Sequence, residues 1–121
     1  MLSIAAFLAF AVGIAHSALG ERYILIRLFR RTELPKLFGS TVFTTRVLRF
    51  AWHLTSIAWW GFAAILVLLA TRSATPRNLS MVLAITFLFT GAITFAISRG
   101  KHLAWPIFLF IAGVCLYAAA A

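Results

Sequence analysis

Three histidines, His16, His53 and His102, and one of only two acids, Glu21, are the side chains best suited to chemistry in this sequence. A neutral imidazole ligates zinc, copper or iron, can serve as an axial ligand of haem, and exchanges protons near neutrality. No two of the histidines share an apolar run, so no short ligand spacing links them. A joint site would require separate helices to bring them to one depth. Trp59 and Trp60 fall together near the middle of the second run, where flat rings could wall a cavity for a lipophilic group. The expected cofactor-binding set is therefore His16, His53, His102 and Trp60. The expected metal-ligating set is His16, His53 and His102, with haem or a metal ion as the group held.

The elements that must carry these residues are unusually plain. Met1–Gly20, Phe50–Thr71, Asn78–Ser98 and His102–Ala121 contain no Lys, Arg, Asp or Glu. A helix rising about 1.5 Å per residue needs roughly 20 residues to cross a hydrocarbon core about 30 Å thick. The chain has 121 residues, of which 64% are hydrophobic, outside the range of soluble domains. Barrel strands would alternate apolar and polar residues, and these runs do not. The expected fold is an all-α integral membrane four-helix bundle forming one domain. Its crossings are read at about 1–20, 48–71, 78–98 and 102–121, with a basic interfacial segment over 21–45. The first run lacks the basic start of a cleaved signal peptide and leads into basic chain, so it is read as a retained helix. The single cysteine, Cys115, lies within the fourth run and excludes an intrachain disulfide.

The net charge is +9, yet the basic residues flank apolar runs and do not form a soluble face, which argues against nucleic acid. Only Arg72 and Arg77 lie in the middle connector. Arg22, Arg27, Arg30, Arg31, Lys36, Arg46 and Arg49 surround the first, and Arg99 and Lys101 form the third. The positive-inside rule then predicts cytoplasmic first and third connectors with both termini outside, as in a bacterial inner membrane. Arg27, Arg30 and Arg31 would share one helical arc, reading as helix one continuing into or bending along the headgroups until Leu34-Pro35 stops it. With Lys36 they form the expected membrane-surface set. Each basic residue near an anionic lipid surface contributes roughly 1 kcal/mol.

Depth can be read from the same boundaries. His16 and His53 each lie about 6 Å inside the cytoplasmic edge, and His102 opens the fourth run at that edge. Ala9, Gly13, Ser17 and Gly20 make a small-residue face beside His16, suited to close helix approach. Arg49, His53, Ser56 and Trp60 share a stripe on the second helix. Thr86, Thr90, Thr94 and Ser98 recur at four-residue intervals on the third, where interhelical hydrogen bonds would each give roughly 0.6–2 kcal/mol. Trp52 and Trp105 read as interface-belt residues. Thr75 or Asn78 is placed to cap the third helix, and hydroxyl caps are expected before the second. Pro106 falls in the first turn of the fourth, where it frees the His102 carbonyl.

No Asp or Glu lies within a span, which disfavours a coupled transporter. Arg46 and Arg49, followed by His53, have the paired spacing found at the start of the second helix in the membrane-associated proteins of eicosanoid and glutathione metabolism. The chain also resembles that superfamily in size, in four spans and in outward termini. Thr45 replaces the acid expected before the first arginine and the following Asn is absent, so no membership is inferred. The expected function is a non-catalytic accessory or interaction protein, a homo-oligomer or part of a larger membrane complex, partnered by the bilayer and its anionic lipids. The first alternative is a ligand-binding or redox protein holding haem, metal or a lipophilic cofactor. The second is a small membrane enzyme acting on a lipophilic substrate.

Overall fold

Hydrocarbon offers backbone groups no hydrogen-bond partners, so each apolar run must close its own ladder as a helix. In the computed structural model, which describes residues 1–121, the chain forms α1 (Leu2–Leu28), α2 (Val42–Ala70), α3 (Pro76–Ser98) and α4 (Ala104–Ala120). There are no strands; Leu37 and Ser40 make one isolated bridge in the first connector. Helices α1, α2 and α3 are each long and apolar enough to cross a membrane, and α4 is a shorter apolar helix. The protein is all-helical and of the membrane class.

The helix ends depart most from the expected crossings at the first connector. α1 runs on past Gly20 to Leu28, its stretch Gly20–Leu25 wound as a π-helix. It ends before Leu34-Pro35, so Arg30, Arg31 and Lys36 sit in the connector and only Arg27 of that set is helical. α2 begins at Val42, within the stretch expected to be interfacial, and its 29 residues span about 43 Å. Its first turns, with Arg46 and Arg49, therefore extend beyond a 30 Å core. Thr41 precedes α2 without a side-chain cap; Thr44 Oγ1 instead donates to the Pro35 carbonyl at 2.7 Å, folding the connector back onto the helix. Thr75 does cap α3, its Oγ1 accepting from the Asn78 amide at 3.2 Å with Pro76 in the first turn. α3 ends through Arg99 and Gly100, both in the left-handed region, and Gly100 N donates back to Phe95 O at 3.0 Å.

Packing follows chain order. α1 contacts α2, α2 contacts α3, and α3 contacts α4, with no contact between α1 and either α3 or α4. The four helices form a row left open between its two ends. Glycines set the close approaches. Gly13 lies under Trp60, Gly20 under Trp52, Gly61 against Thr86 and Gly91 against Leu109. In lipid, helices gain little by hiding apolar surface from one another, so such fits of large side chain onto bare backbone carry the association.

The hydroxyl stripe of α3 behaves differently from expectation. Thr86, Thr90 and Thr94 each donate to the carbonyl four residues back, on Val82, Thr86 and Thr90, all at 2.8 Å. The threonines are satisfied within their own helix and make no hydrogen bond to α2 or α4. Thr94 is fully buried and Ser98 nearly so, the Ser98 hydroxyl accepting from the His102 amide at 3.4 Å.

The polar seam between α1 and α2

Trp52 organises the end of this seam nearest the first connector. Gly20 has no side chain, and the Trp52 indole occupies the space a methyl would take. Its Nε1–H donates to the His16 carbonyl at 3.0 Å, an acceptor that the Gly20 amide also uses. A side chain inserted at the ladder is a recognised cause of helix distortion, and here α1 changes from α to π winding at this residue. The wider turn rephases the residues that follow. Glu21, the second residue of the π segment, reaches α2.

Glu21 Oε1 pairs with Arg49 Nη2 at 3.0 Å, and its Oε2 lies 3.4 Å from His53 Nε2. On the other side of the imidazole, Nδ1 is 2.9 Å from Ser17 Oγ. The Ser17 hydroxyl donates to Ser56 Oγ at 2.8 Å. That direction makes His53 Nδ1 the donor to Ser17. Arg49 also stacks over Phe29, 5.0 Å from its ring centre, and leaves Nε buried without a partner. A continuous polar chain, Arg49–Glu21–His53–Ser17–Ser56, thus runs from the headgroup end into the seam.

His16 belongs to a separate environment. Its ring stacks on Trp52 at 4.5 Å and 4° and meets Trp59 edge-on at 5.1 Å. Nε2 is buried and has no hydrogen-bond partner. With Tyr23, Trp52 and Trp59 it lines a groove of about 450 Å³. His102 lies between α3 and α4, accepting from the Ala104 amide at 3.3 Å and set edge-on to Phe50 at 5.0 Å. Trp60 donates to the Phe10 carbonyl at 3.2 Å and separates two apolar grooves of about 500 and 590 Å³.

The structure thus brings His53 to Ser17 and Glu21, holds His16 among indoles, and sets His102 against Phe50. No group of three His, Cys, Asp or Glu side chains converges to hold a metal ion. Trp52 faces inward and is not simply a belt residue, whereas Trp105 donates to the Gly100 carbonyl at the α4 start. Arg27, Arg30, Arg31 and Lys36 are all exposed. The polar chain's connectivity escaped sequence reasoning, although its signal was present: Ser17 and Glu21 continue the four-residue spacing from Gly13, opposite the stripe of Arg49, His53 and Ser56.

Comparison with known proteins supplies no relative, since no family model, no curated protein and no solved structure matches this chain.

Proposed function

We propose that this is a non-catalytic accessory or interaction protein of a bacterial inner membrane, acting as a homo-oligomer or within a larger membrane complex. In this reading it crosses four times as a single four-helix bundle, left open between α1 and α4. Both termini are extracytoplasmic, and the basic connector faces anionic lipid on the cytoplasmic side. One observation carries it: His53, Glu21, Arg49, Ser17 and Ser56 are bonded to one another across the α1–α2 seam, so the polar groups suited to chemistry are engaged in holding helices together. The sidedness is supported by a meeting of the two basic connectors, where Lys101 Nζ stands 5.6 Å over the Phe38 ring.

The test is an absorption spectrum with metal analysis on the purified protein, alongside His53→Ala. The reading expects no Soret band, no stoichiometric metal, and a variant that loses helix-packing stability only. A haem spectrum abolished by that substitution would overturn it. Sidedness is checked separately by impermeant maleimide, which should label a cysteine placed at Ser73 from outside and spare one placed at Ser40.

A second reading rests on His16. Its unpartnered Nε2 and the groove it lines with Tyr23, Trp52 and Trp59 support a lipophilic ligand or cofactor at the membrane boundary. Quenching of tryptophan fluorescence by a lipophilic quinone, lost in His16→Ala, would favour it.

A further inference from the structure

Five glycines lie within the helices, and four of them are holes filled by a side chain of the adjacent helix: Gly13 by Trp60, Gly20 by Trp52, Gly61 by Thr86 and Gly91 by Leu109. The fifth, Gly113 on α4, has nothing within 4 Å of where a Cβ would stand. It opens on the face of α4 turned away from α3, in a notch of about 340 Å³ lined by Phe110, Gly113, Val114 and Tyr117. Phe110 is 72% exposed and Tyr117 79% exposed, so the large side chains beside this hole have no partner either.

We infer that Gly113 and Tyr117 form a two-fold interface with a second copy of this chain, each α4 placing its Tyr117 ring over the Gly113 of the other. The proposal rests on the oligomeric reading above and names the face and partner it uses. Three observations select a second copy over another occupant. The face is self-complementary, since hole and filler lie on one stripe four residues apart, which is what an isologous contact requires. The depths also match. Two copies sharing one membrane orientation present parallel α4 helices, and helical side chains lean toward the N-terminus. A Tyr117 ring therefore reaches back about one turn, roughly 6 Å, to the level of Gly113. Finally, the ring does not cover its own glycine, because no atom of it comes within 4 Å of that position.

The test exploits the empty space. The Cβ of Gly113→Leu would have no neighbouring side chain within 4 Å, so the monomer should keep its helicity and thermal midpoint while the leucine fills the hole against a partner. In nanodiscs, wild type is expected to be dimeric, and Gly113→Leu should weaken dimerisation by about tenfold or more, equivalent to about 1.4 kcal/mol. In a Cys115→Ala background, oxidation in native membranes should cross-link Val114→Cys and spare Phe7→Cys, which lies on the exposed side of α1. Cross-linking through Phe7→Cys alone would retain an oligomer and overturn this interface. A dimer of undiminished affinity in Gly113→Leu would overturn it equally. A wild type that stays monomeric in membranes, with no cross-link at either site, would overturn the homo-oligomer itself.

Discussion

The α1–α2 and α3–α4 pairs use one device, a glycine under a large side chain, and then diverge. Between α1 and α2 the fillers are two tryptophans whose indoles also donate to the opposing backbone, at His16 and Phe10. A polar chain anchored by the Glu21–Arg49 pair continues alongside them. Between α3 and α4 the filler is Leu109 over Gly91, supported by contacts of Phe87 with Phe108 and Phe95 with Trp105. The hydroxyls of that half turn back onto their own helix. The first seam is directional, with donors, acceptors and charge fixing one register. The second depends on shape, which fixes approach distance but leaves rotation softer.

The sharpest way to break this contrast is to fill the holes. Gly20→Ala would drive a methyl into the rigid Trp52 ring at Nε1, the very atom that donates to the His16 carbonyl. Overpacking of this kind costs about 1–3 kcal/mol. Gly91→Ala meets first the far end of Leu109, at 2.7 Å, a flexible group that can rotate aside, and only then its backbone nitrogen at 3.3 Å. Unfolding by SDS titration should therefore show a large loss for Gly20→Ala and a loss less than half as large for Gly91→Ala. Equal losses would mean that the two seams are alike.

Removing the polar chain comes next. Ser17→Ala deprives His53 Nδ1 and Ser56 of a common partner, and a buried group left unsatisfied costs about 1–3 kcal/mol. Partial exposure of this cluster puts the expected loss near the lower end. A double-mutant cycle of Glu21→Gln with His53→Ala isolates the pair itself. Interhelical polar pairs in membranes average about 0.6 kcal/mol in such cycles, and about 1.7 kcal/mol is the upper bound expected here. A coupling of zero would reduce the 3.4 Å approach of His53 to Glu21 to mere proximity.

Much of this architecture was legible in sequence, because burying charge in hydrocarbon is so costly that charge-free runs declare themselves. The helix faces were legible too. Gly13, Ser17 and Gly20 do face α2, and Arg49, His53, Ser56 and Trp60 do face α1. What sequence could not show was the phase of α1 beyond Gly20. The four-residue spacing from Gly13 sets Glu21 on the face toward α2, but it gives no reason for one carboxylate to meet both Arg49 and His53. The π segment begins at Gly20, where an indole of another helix also bonds the His16 carbonyl, a tertiary contact that no local pattern contains. Equal depth likewise suggested that the histidines converge, yet depth says nothing about rotation around each helix. His16 and His53 share a level and face different neighbours.

The smallest effect is expected where the same atom, a hydroxyl, is deleted from α3. Thr94 is fully buried, and burial alone would make Thr94→Val look as severe as Ser17→Ala. Its hydroxyl, however, donates to the Thr90 carbonyl, which already accepts within the helical ladder, so removing it orphans nothing. Valine keeps the branched shape that packs in the seam. A change of about 0.5 kcal/mol or less follows, of either sign, since such back-bonding slightly strains the helix it decorates. Two hydroxyl deletions thus separate the halves: one breaks a bond between helices, the other a bond within one. Should Thr94→Val prove as damaging as Ser17→Ala, α3 would be held to its neighbours by polar contacts after all, and the division into a directional seam and an apolar one would fail.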